Sequence, residues 1–289
     1  MATDQGPVVQ SAALRSELVR LRKESELTQE QVASDLEWSP SKVIRIEGGR
    51  SSITKTDLDA LLTRYGVTSE STRERLQALN RGARERAWWD KYRDDLAETY
   101  VRYVGFEAGA SFIRQYESVF VPGTLQIPEY AEAVTVGLAD PVKIASIVGM
   151  RLQRQAELTQ RSAPPRRYYV VDEAVIRRHV GSEKDPAIMP NQLRSMADQA
   201  ESDDLVTIRI IPFAVGAHRG LLGPFTLLEF DGILPDVLYV DAGRGEFASM
   251  VQGGDVVSDY RDDFEALLED ALPADKSIDL LRSVAEEMS

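Results

Sequence analysis

Two domains of different class are predicted for this chain: an all-α domain over residues 11–82 and an α+β domain over residues 106–289. Three observations predict them. Between residues 11 and 82, apolar residues recur at helical spacing five times, each run bounded by caps or breakers. Beyond residue 100, helical stretches alternate with short β-branched and aromatic runs. The charge is also divided. Residues 1–86 hold 14 Lys+Arg against 13 Asp+Glu, a net of +1, whereas the remainder holds 20 against 34, a net of −14. A chain of 289 residues is in any case long for one small core.

The elements follow in order. Residues 1–10, MATDQGPVVQ, read as a disordered tail without the basic start and apolar centre of a signal peptide. Leu14, Leu18 and Leu21 then mark one face of a helix from Ser11 to Ser25, with Arg15, Arg22 and Lys23 outside it. Thr28 and Gln31 have the spacing of a capping box and open a second helix that turns Val32, Ala33 and Leu36 inward. Ser39 caps a third, with Pro40 at the first helical position, where a missing N–H costs nothing. Val43 and Ile46 form its buried stripe, and Gly48-Gly49 ends it. A fourth helix starts near Thr54, carries Leu58, Leu61 and Leu62, and stops near Gly66. A fifth starts near Ser69 and carries Leu76 and Leu79. Residues 83–105 lack proline and read as a helical connector. Trp88, Trp89 and Tyr92 within it are packing anchors rather than a base-stacking platform, because the neighbouring Asp and Glu would repel a phosphate backbone.

In the larger domain, Ser118 to Val121 has a β-like character and leads into a Val-Pro-Gly turn, with Gly123 expected at positive φ. A helix is predicted from near Pro128, and a long one in PVKIASIVGMRLQRQAELTQR before Pro164-Pro165. RRYYVVDEAVIRRHV begins as a strand and becomes a helix, and PNQLRSMADQAES is helical. LVTIRIIPF, FTLLEF and VLYVD read as strands, and the acidic tail as helix broken at Pro273. The sheet is expected to be antiparallel or mixed.

Composition narrows the chemistry. Cysteine is absent, which removes disulfides, thiolate nucleophiles and thiolate-bound zinc, and fits a reducing cytoplasm. His179 and His218 are the only imidazoles, so a His-rich metal site is not expected; no metal and no cofactor are expected. No apolar run reaches the roughly 18 residues of a membrane span. The expected location is the cytoplasm, at the nucleoid.

The stretch LEWSPSKVIRIEGGR, residues 36–50, carries the strongest functional signal. Two short helices joined by a tight turn, the second exposing small polar and basic groups, describe a helix-turn-helix. The second helix must fit a major groove ~12 Å wide, so its outer face needs small or flexible side chains that reach base edges. Here that face offers Pro40, Ser41, Lys42 and Arg45. Arg or Lys donates to guanine O6 and N7. Gln29, at the start of the first helix, and Arg50, just past the second, are placed for phosphates.

From about Leu14 to Leu79, the order TQEQVA, turn, SPSKVIRIEGGR and further helix resembles the Xre-type, lambda-repressor-like helix-turn-helix family. The resemblance implies that Gln29 and Ser41 match phosphate- or base-contacting positions, that Lys42 and Arg45 face the groove, and that Glu47 is structural. One departure is Glu37, which stands in the turn where the family often has glycine; a non-glycine residue at positive φ there costs around 1 kcal/mol.

Several later runs, EAGASFIRQYESVFVPGTLQIPEYAEAV, RLQRQAEL, DEAVIRRHVG, IIPFAVGAHRGLLGPFTLLEF and VLYVD, together resemble the domain that follows such modules in many actinobacterial regulators. Some of these are described as antitoxin-like and are paired with a small protein encoded nearby. No catalytic constellation emerges from the residues themselves. Glu107 with Glu117, or Asp172 with Glu173, could pair carboxylates, but helix faces, turns or salt bridges explain them as well. Ser111 and Ser118 lack a His-Asp partner at a suggestive spacing. Arg151 and Arg154 share a helix face; they either grip a carboxylate or phosphate or pair with the domain's own acid. His218 and Arg219 lie in a Gly-rich loop that is either a ligand contact or plain surface, since its glycine spacing matches no phosphate-binding fingerprint. The expectation is therefore a non-enzymatic, dimeric transcription regulator binding double-stranded operator DNA, with half-sites ~34 Å apart. Its acidic domain would bind a partner protein or small ligand. The alternatives are an antitoxin-like protein that mainly sequesters a small partner, and an enzyme in which Glu107, Arg151 and His218 converge in a pocket.

Overall fold

The computed structural model describes residues 6–232, 234–240 and 248–289. The chain forms two compact units, the first ending at Asp90 and taking in Phe230–Leu234, the second made of Lys91–Glu229 and Pro235–Ser289. The boundary at Asp90 falls inside the stretch read as a connector.

The first unit is all-α: α1 (Gly6–Glu24), α2 (Gln29–Asp35), α3 (Pro40–Glu47), α4 (Lys55–Arg64) and α5 (Glu70–Gly82). The side chains of Thr28, Thr54 and Ser69 each accept from the backbone N–H three residues on, and Thr28 with Gln31 completes a capping box. Ser39 occupies the cap of α3 without a side-chain cap bond; Pro40 alone starts that helix. Leu14, Leu18, Val32, Val43, Ile46, Leu58, Leu61 and Leu76 meet in one core, so all five helices turn their stripes inward. Full burial of each such aliphatic group contributes about 1.5–3 kcal/mol.

Helix ends in this unit share one device. After α1, α2, α3 and α4 the chain closes with a pair of reverse bonds, such as Trp38 N–H to Ala33 O at 2.8 Å with Glu37 N–H to Ser34 O at 3.2 Å. The left-handed residue that this motif requires is Gly49 after α3 and Gly66 after α4, but Glu26 after α1 and Glu37 after α2, both at φ 55°.

Two sequence expectations differ here. Residues 1–5 lie outside the described residues, and from Gly6 the expected tail is already α1, with Val9 and Gln10 buried. The connector is not one helix. Asp90 accepts from the Ala87 N–H at 2.9 Å, a 3₁₀ turn spans Trp88–Tyr92, and helix resumes only at Glu98. Trp89 is buried and meets the Trp88 ring edge-on at 5.4 Å.

The second unit is α+β. Its elements are α6 (Glu98–Glu107), β1 (Phe112–Glu117), α7 (Pro128–Leu138), α8 (Ile144–Thr159), β2 (Arg166–Asp172), α9 (Glu173–Arg177), α10 (Ile188–Ser202), β3 (Val206–Ile211), β4 (Phe225–Glu229), β5 (Val237–Val240), β6 (Ser249–Gln252), α11 (Asp255–Asp270) and α12 (Ala274–Glu287). The sheet is mixed, in the order β3-β2-β1-β4-β5-β6. β1, β2 and β3 run parallel; β1-β4, β4-β5 and β5-β6 pair antiparallel. Tyr169, Val171, Ile208 and Ile210 face a core with Tyr130, Leu193, Met196 and Leu281. Val170, Leu227 and Leu238 face another with Phe264 and Leu267. Cover on both faces explains why β2 reads as a continuous apolar run. The outer edge of β3 is closed by the α11–α12 joint: Leu272 N–H reaches Ile210 O at 2.9 Å, and Ile210 N–H reaches Ser277 Oγ at 3.0 Å.

The first strand lies upstream of the Ser118–Val121 run expected from sequence. FIRQYE hides as a strand because it carries Arg114 and Gln115; Arg114 reaches Glu229 at 3.1 Å and Glu265 at 2.7 Å. Gly123 does not take positive φ; its carbonyl accepts from Gln155 Nε2 at 3.2 Å. The last residue of VLYVD, Asp241, lies outside the described residues.

Candidate nucleic-acid interface

α2 and α3 pack on each other, with α1 behind α3 and α4 beside α2. Val43 and Ile46 are buried, which fixes the rotation of α3 and sends Pro40, Ser41, Ile44 and Arg45 to solvent. Among the described residues, the side chains of Ser41, Arg45 and Arg50 have no hydrogen bond or ion pair, so their polar groups are available.

The other predicted contacts are engaged. Gln29 Nε2 donates to Glu47 Oε2 at 2.7 Å, and Arg22 holds both Glu47 oxygens, at 2.7 and 3.0 Å, while a further Arg22 nitrogen donates to Leu27 O at 2.8 Å. Glu47, with 4 % of its side chain exposed, thus ties the ends of α1 and α3 to the start of α2. Its hydrogen bonds raise the Arg22 pKa further above its ordinary value, against the opposing pull of burial. Lys42 does not stand free over the groove face. Its Nζ lies 2.8 Å from Asp57 Oδ1 and 3.6 Å from the Trp38 ring centre. Burial raises the Asp57 carboxyl, but hydrogen bonds from Lys42 and Thr54 outweigh it and leave the pKa below its ordinary value. Ile44 also reaches solvent on this helix, at 44 % exposure. An isoleucine beside Val43 looks like core, and only the observed rotation of α3 shows it exposed.

In the second unit the singled-out residues meet only in pairs, Glu107 with Arg154 and Asp172 with His218. Glu107 is buried against Arg154, which binds both its oxygens; Arg154 also reaches Tyr103 at 2.9 Å and Tyr100 at 3.1 Å, and Tyr103 donates to Glu107 at 2.8 Å. This network fastens α6 to α8, so Arg154 pairs with the domain's own acid. Arg151 donates to Thr135 Oγ1 at 2.8 Å. His218 Nε2 lies 3.2 Å from Asp172 Oδ2, whose other oxygen accepts the Ala174 N–H at the start of α9. Arg219 pairs with Asp263. No hydrogen bond joins any two of Glu107, Arg151 and His218. Glu117 accepts from Gln115, Glu173 accepts the Phe213 N–H at 2.8 Å, and Ser111 donates to Glu229 O at 3.1 Å. Among the described residues, no group of three or more His, Asp or Glu gathers as a metal site, and no helix is long and apolar enough to cross a membrane.

The arrangement is that of a helix-turn-helix DNA-binding domain ahead of an α+β domain. A family model described as a helix-turn-helix domain matches residues 13–76. A second, described as a domain of unknown function (DUF5753), matches residues 100–283, more than half of the sequence, and the chain belongs to that family. No curated protein and no solved structure matches it.

Proposed function

We propose that this chain is a sequence-specific transcription regulator of the Xre type, working as a dimer on operator DNA, with α3 in the major groove. Its second unit would take a partner protein or small ligand that sets operator occupancy. The carrying observation is the division of labour around α3. Glu47, Gln29 and Lys42 spend their polar groups inside the protein, while Ser41 and Arg45 remain exposed and unpaired. Arg45 is the side chain placed to donate to a guanine edge, and Arg50 the one placed to meet a phosphate.

The test is selection of duplexes from a random pool by the full-length chain, followed by affinity measurements on the selected site. Arg45→Ala is expected to cost about 1–3 kcal/mol and relax the preference at one base pair per half-site. Arg50→Ala is expected to weaken all sequences alike and lower the salt dependence. A double variant that binds the selected site as wild type does would overturn the assignment of α3.

The net charge of −14 after residue 86 favours a second reading, sequestration of a small basic protein. An antitoxin-like chain would form a tight complex with the product of an adjacent gene even when Arg45→Ala has weakened operator binding.

A further inference from the structure

We propose that Ile44 reads a thymine methyl group in the operator, beside the base taken by Arg45. The inference rests on the placement of α3 in the major groove argued above. Ile44 is 44 % exposed, whereas Val43 and Ile46 on either side of the same helix are 0 % and 3 % exposed. It belongs neither to the core of the first unit nor to the partly buried residues packed against that core. The residues sharing its face are Pro40 and Ser41, one turn before, and Glu47 and Gly48, one turn after. Pro40, Ser41 and Gly48 are short, and Glu47 is drawn inward onto Arg22 and Gln29, so part of the Ile44 side chain stays open to solvent as an apolar group.

The exposed part of Ile44 adds nothing to the core of the first unit. Of the other long polar side chains of α3, Lys42 is turned away onto Asp57 and Trp38 and Glu47 inward onto Arg22 and Gln29, and neither has its charged end free to screen Ile44. An isoleucine has neither donor nor acceptor, so it cannot answer the hydrogen-bonding edges of the bases. The major groove presents one apolar feature, the C5-methyl of thymine. Ile44 and Arg45 are adjacent on the helix, so the methyl group and the guanine should lie at neighbouring or next-neighbouring positions of one half-site.

The test uses the full-length chain and its selected duplex. Each thymine is replaced in turn by deoxyuridine, which removes the methyl and leaves every hydrogen-bonding group. One thymine per half-site is expected to lose about four-fold in affinity, the worth of one buried methyl. Ile44→Ser, whose folding is checked by an unchanged melting temperature, is expected to lose that methyl sensitivity while keeping the guanine preference that depends on Arg45. Indifference to deoxyuridine at every position, or equal methyl sensitivity in Ile44→Ser, would overturn the proposal. If that happens on a site that Arg45→Ala still weakens, the groove placement of α3 survives and only the role of Ile44 falls. If no site is selected at all, both fall.

Discussion

Lys42 Nζ lies 2.8 Å from Asp57 Oδ1 and 3.6 Å from the centre of the Trp38 ring, so one ammonium joins α3 to the first turn of α4 and to the turn before α3. Both charged side chains are about a quarter to a third exposed, at 32 % and 23 %, which keeps the ion pair modest. Adding the cation–π contact, Lys42→Met is expected to lower the stability of the first unit by about 1 kcal/mol. All three tryptophans lie at or before Trp89, so tryptophan fluorescence during urea unfolding reports on this unit. The selected DNA motif should keep the same bases, with a weaker overall affinity. A changed base at one position would show that Lys42 leaves Asp57 on binding and reads DNA.

Glu37 carries the second expectation. It fills the left-handed position of a helix-ending motif that α3 and α4 fill with glycine, and its side chain is exposed. The strain of an L-residue there is about 1–2 kcal/mol, partly offset by the greater chain entropy a glycine loses on folding. Glu37→Gly is therefore expected to stabilise the first unit by about 0.5–1 kcal/mol. Glu26→Gly, at the same φ after α1, should add a similar amount, since the two turns share no partner. Urea midpoints of the two single variants and the double would check both size and additivity. A destabilised Glu37→Gly would mean that the carboxylate makes a contribution larger than the strain.

These residues also show where sequence suffices. The five helices of the first unit were legible because caps such as Thr28, Thr54 and Ser69 precede stripes of Leu, Val and Ile that all point to one core. The mixed α+β character was legible from β2, whose Tyr-Tyr-Val-Val run is covered on both faces, and from β3, whose β-branched residues alternate around Arg209. β1 was hidden by Arg114, whose ion pairs come from β4 and α11 far along the chain. β6 is short and largely exposed, so it carries no apolar signal. At the interface, exposure of Arg45 followed from helical period. The withdrawal of Gln29 and Lys42 did not, because their partners Glu47 and Asp57 lie 18 and 15 residues away on other helices.

Acid should loosen the first unit through Glu17. Its side chain is 1 % exposed and accepts from Arg20 at 2.9 Å and Arg75 at 3.1 Å. Burial pushes the carboxyl up, but the bonds and charges of the two arginines prevail and hold it below its ordinary value of 4.5. A carboxyl with a depressed folded pKa stabilises above its unfolded value, and that contribution fades as pH falls through the folded one. Asp57, also depressed, acts in the same direction from its ordinary value of 3.8. Tryptophan-monitored urea midpoints should therefore hold steady from neutral pH down to about 5 and then fall. Glu17→Gln is expected to be less stable at neutral pH and to show a shallower fall in acid. An equally steep fall in that variant would place the acid sensitivity elsewhere.

The buried pair of Glu107 and Arg154 sets the last expectation, for the second unit. Glu107 is 1 % and Arg154 5 % exposed by side chain, and Tyr100 and Tyr103 complete the guanidinium's partners. Burial disfavours the Arg154 charge, yet attraction to Glu107 prevails and raises its pKa well above the ordinary value, so the pair remains ionic. Removing one member leaves the other charged and unpaired in the interior. Arg154→Met and Glu107→Leu are each expected to cost about 3–5 kcal/mol. The double variant exchanges an ion pair for apolar contacts and should recover most of that loss. Thermal unfolding followed by circular dichroism, with hydrogen exchange of β1 and β2 assigning the transition to the second unit, measures the cycle. If the two losses simply added, the residues would not act as a pair, and α6 would be held instead to β5, through the stack of Tyr103 on Tyr239 at 4.3 Å.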